Sequence, residues 1–112
     1  MFVSIVRINC SAIVDWRSFH DEFAREFGFP AFYGRNMNAW IDCMSSLDAP
    51  EDRLSAVHCR VGRVLTLELL NVGEFRQRCP DQYAALIESS GFVNWRRVQS
   101  GKEPLLALSF YT

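Results

Sequence analysis

Three short apolar segments, widely separated along the chain, most constrain what this sequence can fold into. Each is rich in β-branched or large apolar residues, and helix-length stretches separate them. The segments are Phe2–Ile8 (FVSIVRI), Val64–Leu70 (VLTLELL) and Pro104–Tyr111 (PLLALSFY). Strands that are joined through helices pair in parallel by right-handed crossovers. The sequence therefore predicts an α/β fold, a three-stranded parallel sheet packed against helices, in the order β-α-α-β-α-β.

The size of the chain and the composition of its first strand refine this prediction. A length of 112 residues fits one domain with one hydrophobic core, spanning residues 1–112. The first strand has few polar interruptions, which is typical of a strand that is covered on both faces.

The first helix is predicted over residues 15–27. Asp15 stands where an N-cap is expected, and Gly28 and Pro30 end the helix. An apolar stripe recurs at helical spacing in Trp16, Phe19, His20, Phe23 and Phe27. The charged residues off this stripe are predicted to be solvated; they are Asp21, Glu22, Arg25 and Glu26. The same is predicted for a second pair of adjacent acidic residues, Glu51 and Asp52.

The remaining helices are less regular. A turn over residues 30–36 leads into a second helix at 36–47, and residues 47–62 form a polar loop with at most one short helical turn. A third helix begins at Pro80, with Tyr83, Leu86 and Ile87 facing inward. Ser89-Ser90-Gly91 is predicted to break it, and Phe92–Arg97 to resume it. The end of this helix, at Arg96 and Arg97, is predicted to be solvated. The three tryptophans are predicted to lie in the core or at its edge: Trp16, Trp40 and Trp95.

Charge and cysteine usage limit the function classes. The formal net charge is −1, so the protein lacks the broad positive electrostatic field that is typical of nucleic-acid-binding proteins. No apolar run is long enough to span a membrane, and the N-terminal residues do not read as a signal peptide, because Arg7 interrupts them. We therefore expect a cytoplasmic protein without direct nucleic-acid or membrane contact. Its scattered cysteines are expected to be reduced: Cys10, Cys43, Cys59 and Cys79.

No catalytic or metal-binding pattern is present in the sequence. The only histidines are His20 and His58, and neither has a carboxylate or thiol at a spacing that makes a dyad evident. No phosphate-binding glycine loop and no paired zinc-ligand spacing occurs. The sequence therefore predicts a protein that is not an enzyme and needs no cofactor or metal. A small enzyme using Asp42 with His58 or Cys43 is the least favoured hypothesis.

The stretch from Phe29 to Leu47 is the most unusual part of the chain. On a helix beginning near Asn36, two faces separate, as helical spacing requires. The apolar face carries Met37, Trp40, Ile41, Met44 and Leu47, and the polar face carries Asn38, Asp42 and Ser45. Asp42 then projects from a rigid element beside small residues, with the Phe32-Tyr33-Gly34 turn nearby. This composition suits a binding patch with an anionic centre, and an ordinary solvated helix is the alternative.

The same stretch resembles the barstar family. Its pattern, P-x-(F/Y)-Y-G-x-N-x-x-A-x-x-D-C-(L/M), is reproduced at Pro30, Tyr33, Gly34, Asn36, Ala39, Asp42 and Cys43. The whole chain can be laid along the family, with an insertion between about Ser46 and Arg63. The resemblance implies a three-stranded parallel sheet packed against helices. It also implies inhibition of a ribonuclease, with the helix and its preceding loop entering the active site and Asp42 in the phosphate pocket.

The family's partner contacts transfer unevenly to this chain. The resemblance places the partner-binding surface at Phe32, Tyr33, Gly34, Asn36, Asn38, Ile41, Asp42 and Ser45. Asn38 stands where barstar has a second aspartate, Ile41 where it has a tryptophan, and Arg35 where it has a glutamate. Arg96 or Arg97 falls where barstar has another acidic contact. These departures leave Asp42 nearly alone as the anion on that face, and they imply a partner that is less cationic than barnase.

Two functions from different classes follow. The first is a monomeric inhibitor of a secreted ribonuclease or nuclease toxin. The second is an interaction or immunity protein of the same fold whose partner is a non-nuclease toxin or another protein.

Overall fold

The computed structural model describes all 112 residues and contains one three-stranded parallel sheet in the order β1-β2-β3. The strands are β1 (Ile5–Asn9), β2 (Leu65–Leu70) and β3 (Leu106–Tyr111). The helices are α1 (Trp16–Phe27), α2 (Met37–Ser45), α3 (Val72–Arg78) and α4 (Pro80–Gln99). Short 3-10 turns cover Cys10–Ala12 and Pro50–Asp52. The predicted α/β class and parallel pairing are confirmed, and the predicted elements occur in the predicted order, with one additional helix, α3, after β2.

The sheet is covered on one face only, so the prediction of a doubly covered first strand is wrong. Along β1, buried and exposed residues alternate, with Val6 and Ile8 inward and Arg7 outward. Val6 pairs with Leu67 of β2, and the outward residues Arg7 and Glu68 form an ion pair at 3.0 Å. Right-handed crossovers that advance in one direction along a sheet put all their helices on the same face. β1 also begins three residues later than predicted.

The core is built mainly from aromatic and leucine side chains. Phe19, Phe23 and Phe27 of α1 are fully buried, and the Phe23 ring meets Trp40 edge to face with centroids 5.5 Å apart. Trp40 is therefore in the core, as predicted. Trp16 is partly exposed but lies beside the core, as predicted, with its ring edge to face with the buried Phe19 at a centroid distance of 5.6 Å. Trp95 is 58% exposed, which corrects its predicted place in or beside the core.

The ends of α1 follow the sequence signals. The Asp15 carboxylate accepts a hydrogen bond from the Ser18 backbone N–H at 2.8 Å. Gly28 takes the left-handed conformation with φ of 65°, and a Cβ built there would lie 2.6 Å from the Cβ of Ala56. One prediction for this helix is wrong: Glu22 is buried rather than solvated. Its carboxylate accepts a hydrogen bond from the Asn9 backbone N–H at 3.0 Å and pairs with Arg25.

The second half of the chain differs most from the prediction. α3 was not predicted, because a helix of seven residues buries only Val72 and Phe75 and shows little periodicity. The predicted break at Ser89-Ser90-Gly91 does not occur, since α4 runs unbroken for 20 residues. One helical glycine costs about 1 kcal/mol relative to alanine, which the packing of a long helix outweighs.

The segment between α2 and β2, residues 46–64, is fixed to α4 by a buried ion pair; we call it the inserted segment because the family resemblance predicts an insertion there. The guanidinium of Arg97 is buried, not solvated as predicted, and donates to both carboxylate oxygens of Asp48, at 2.6 and 3.2 Å. It also donates to the backbone carbonyls of Ser45 and Glu103 at 3.1 and 2.9 Å. The predicted single helical turn of this segment lies at Pro50–Asp52.

All four cysteines are free and buried. No helix combines the length and the apolar composition that crossing a membrane requires.

Candidate recognition surface

The loop between α1 and α2 exposes one aromatic ring to solvent and buries the next one in the domain. A turn closes where the Tyr33 backbone N–H donates to the Pro30 carbonyl at 2.9 Å. Phe32, at the tip of this turn, is 75% exposed. Tyr33 is buried, with its hydroxyl 2.6 Å from Nδ1 of His20 and its ring against Phe29. The loop therefore holds the Phe32 ring exposed to solvent, on a turn that the buried Tyr33 fixes in place.

The end of the loop is held by Arg35. This residue has a positive φ of 54°, which is uncommon for a residue with a side chain. Its guanidinium pairs with Asp21 of α1 at 2.5 Å and donates to the Arg17 carbonyl at 3.1 Å. The charge of Arg35 is thus partly balanced within the chain, and the loop is tied to α1 at this point.

α2 begins with a side-chain cap and is anchored from below. The Asn36 side-chain oxygen accepts from the Ala39 backbone N–H at 2.8 Å, which satisfies one of the free donors of the first turn. The inner face of α2 is buried against the rest of the domain through Trp40, Cys43 and Met44. Because both the N-terminus and the inner face are fixed, the outer side chains of α2 project from a rigid element.

Asp42 is the one carboxylate on the outer face of α2. Its side chain is 67% exposed, and its nearest charged neighbour is the Arg96 guanidinium of α4, at 3.5 Å. The same guanidinium donates to the Ser45 hydroxyl at 2.8 Å, and that hydroxyl donates to the Ile41 carbonyl at 2.6 Å. Asp42 was expected to be nearly alone as the anion on this face, and the structure adds a cation from another helix beside it.

The titratable groups under this surface are held in their neutral forms. Burial, with the Asp42 charge adding to it, raises the pKa of the Cys43 thiol to about 11. Burial raises the pKa of Tyr33 as well. Burial, followed by the positive charge of Arg35, lowers the pKa of His20. The Cys43 thiol and the Tyr33 hydroxyl are therefore not ionised, as an activated nucleophile would be, at neutral pH.

The structure brings most of the predicted partner-binding residues onto one surface. Five are exposed, two are half-buried and one is buried beneath the loop. The exposed residues are Phe32, Gly34, Asn36, Asn38 and Asp42, the half-buried ones are Ile41 and Ser45, and the buried one is Tyr33.

The other histidine lies apart from this surface. His58 is buried in the inserted segment, and its Nδ1 has no hydrogen-bond partner. The neighbouring Cys59 thiol donates to the carbonyls of Arg60 and Arg63, at 3.3 and 3.0 Å. No three His, Cys, Asp or Glu side chains are grouped closely enough to hold a metal ion.

The sequence analysis placed Arg96 or Arg97 at one of the family's partner-contact positions, but it missed the aromatic rings beside them on α4. The helical spacing of Phe92, Trp95 and Arg96 within the predicted helical segment Phe92–Arg97 was a usable signal, but Trp95 was assigned to the core or its edge and Arg96 to a solvated helix end. The arrangement offers an exposed carboxylate, an exposed aromatic ring and small side chains on a rigid backbone, and these features suit contact with another molecule.

Comparison with known proteins gives one result. A family model described as Barstar (barnase inhibitor) matches residues 3–96, which is most of the chain. A search of curated proteins found no match.

Proposed function

Because the chain belongs to the barstar family, whose members are inhibitors rather than enzymes, we propose that it blocks the active site of a ribonuclease or related nuclease toxin. In this proposal α2 and the preceding loop enter the active site, and Asp42 occupies the place of a substrate phosphate. The chain acts as a monomer before the complex forms, and all eight proposed contact residues lie on one copy.

The chemistry of an RNA-cleaving site explains why a carboxylate suits it. Such a site must bind a phosphodiester, so it holds arginine, lysine or protonated histidine side chains. A carboxylate on a rigid helix pairs with those cations without first losing conformational entropy. The barnase–barstar pair, which gives the family its name, is itself a standard example of such charge complementarity at an interface.

One observation carries the proposal. Asp42 is exposed on a helix that is capped at its N-terminus and anchored beneath, next to the exposed Phe32 turn. An ordinary solvated helix would not need a fixed aromatic turn beside it. The position of Asp42 within the family pattern supports the same assignment.

The test is a ribonuclease assay with two enzymes: barnase, and a nuclease domain encoded by a reading frame neighbouring that of the chain. We expect one-to-one inhibition of at least one enzyme at nanomolar concentration. Asp42→Ala should weaken that inhibition by at least about 100-fold, since cations in the partner site lose their counter-charge. Asp52→Ala, which removes an exposed carboxylate from the inserted segment, is the matched control and should inhibit like wild type.

Two results would contradict the proposal. If neither enzyme is inhibited at micromolar concentration, the nuclease target is wrong. If Asp42→Ala inhibits as well as wild type does, α2 is not the inserted element.

The alternative is an immunity or interaction protein for a non-nuclease partner, and one observation favours it. Arg96 beside Asp42, together with the neutral Asn38, makes the recognition surface less acidic than a strongly cationic active site would favour. Salt dependence separates the two functions. Binding through a phosphate-like carboxylate weakens strongly between low and physiological salt, whereas binding to a less charged partner changes little.

A further inference from the structure

The C-terminal half of α4 displays two aromatic rings and one cation together. Trp95 and Phe92 are 58% and 43% exposed, and their ring centroids are 5.7 Å apart. The Arg96 guanidinium carbon lies 5.8 Å from the Phe92 ring centroid. These three residues, which we call the α4 patch, follow the i, i+3, i+4 spacing that places side chains on one helix face.

The α4 patch is continuous with the recognition surface of α2. Arg96 joins the two, because its guanidinium donates to the Ser45 hydroxyl at 2.8 Å and lies 3.5 Å from the Asp42 carboxylate. A partner that covers Asp42 therefore also meets Arg96 and the Phe92 ring beside it.

The contact between Arg96 and Asp42 is weak enough to be exchanged for contacts with a partner. The Asp42 and Arg96 side chains are 67% and 41% exposed, and an ion pair that water reaches contributes at most about 1 kcal/mol to stability. Covering exposed aromatic rings with a partner removes apolar surface from water and so favours binding. Tryptophan and arginine are also enriched among the residues that dominate binding energy at interfaces.

Charge complementarity indicates the chemistry on the other side. A site lined only by cations would accept Asp42 but would oppose Arg96 with a like charge, at a cost in affinity. A carboxylate placed beside those cations satisfies both members of the pair. An apolar surface next to it matches Phe92 and Trp95.

We infer that the α4 patch is the second half of the partner-binding surface, and that the bound enzyme presents a carboxylate to Arg96 and apolar side chains to Phe92 and Trp95. This inference rests on the proposed function and adds the chemistry of the partner. It also assigns Arg96 a role in specificity, because a uniformly cationic active site is disfavoured by this chain.

The first test measures binding of α4 variants to the ribonuclease that wild type inhibits. Trp95→Ala should weaken binding about 30-fold, and Arg96→Glu by at least about tenfold. Arg96→Lys should stay within about threefold of wild type. The controls are Phe110→Ala, which removes an exposed ring from β3, and Arg76→Glu, which reverses an exposed charge on α3. Both should bind like wild type.

The second test detects the partner's carboxylate directly. Lys102 is the only lysine of the chain, so Arg96→Lys introduces one new side-chain amine. A carbodiimide condenses an amine with a nearby carboxylate and takes up the water that is lost. In the complex, we expect the new amine to form an amide with an aspartate or glutamate of the enzyme, identified by mass spectrometry. Arg76→Lys should give no such product.

The outcomes distinguish this inference from the proposed function. If Asp42→Ala loses inhibition but Trp95→Ala and Arg96→Glu bind like wild type, the α4 patch is outside the interface and only this inference fails. The same conclusion follows if the new amine links only to Asp42 of its own chain, or if Trp95→Ala changes self-association in sedimentation rather than enzyme binding. If no ribonuclease is inhibited, the proposed function fails first and this inference falls with it.

Discussion

Replacing Arg97 by methionine removes a cation from a buried site while keeping most of the side-chain volume. In wild type, its guanidinium makes two hydrogen bonds to Asp48 and one each to the carbonyls of Ser45 and Glu103. The substitution leaves the Asp48 carboxylate without its counter-charge and two carbonyls without their donor.

The expected loss of stability follows from the burial of the pair. Breaking a buried ion pair by removing one partner costs about 3–5 kcal/mol. The side chain of Asp48 keeps 14% exposure, so water relieves part of this cost and about 3 kcal/mol is expected. Urea denaturation followed by circular dichroism should show a midpoint lowered by about 1–3 M, at an unchanged slope.

A double variant separates the ion pair from simple packing. Arg97→Met combined with Asp48→Leu removes both charges, and should recover at least half of the stability that the single variant loses. A loss below about 1 kcal/mol for Arg97→Met alone would refute this reasoning, because it would mean that the guanidinium is solvated.

Two further predictions concern α1 and its C-terminus. Gly28→Ala should lower the free energy of unfolding, measured by urea denaturation, by about 2 kcal/mol or more, because residue 28 has a positive φ and the new Cβ would overlap Ala56. Gly62 also has a positive φ but has no neighbour within 4 Å, so Gly62→Ala should lower the free energy of unfolding less. Equal losses would show that the contact with Ala56 does not matter. Stability should also fall as the pH drops below about 6.5, because burial lowers the pKa of His20 in the native state while the unfolded chain still binds the proton. His20→Gln should flatten this dependence between pH 7.5 and 5.5, and an unchanged slope would contradict it.

Local signals sufficed where one segment determines its own structure. Asp15 and Gly28 fixed the ends of α1, because capping is a matter of a few neighbouring backbone groups. Short runs of β-branched and apolar residues located all three strands. The placement of Asp42 on the outer face of α2 followed from helical spacing alone.

Signals that depend on distant segments could not be read from the sequence. Arg97 is buried only because α2, the inserted segment and residue 103 converge on it, and no pattern around residue 97 records that. The pairing of Arg96 with Asp42 likewise joins positions 54 residues apart. The continuity of α4 through Gly91 was missed for the same reason, since tertiary packing overrides a weak local preference.

The anchoring of the inserted segment has an evolutionary consequence. Arg97 holds its beginning at Asp48, and the Cys59 backbone N–H donates to the Leu47 carbonyl at 2.9 Å, so the two ends of the excursion stay together whatever lies between them. The tip at residues 51–53 is exposed, and doubling the length of a flexible loop costs only about 0.6 kcal/mol. The tip of the inserted segment is therefore structurally independent of α2. Residues can be added to or deleted from the tip without displacing the helix that carries Asp42.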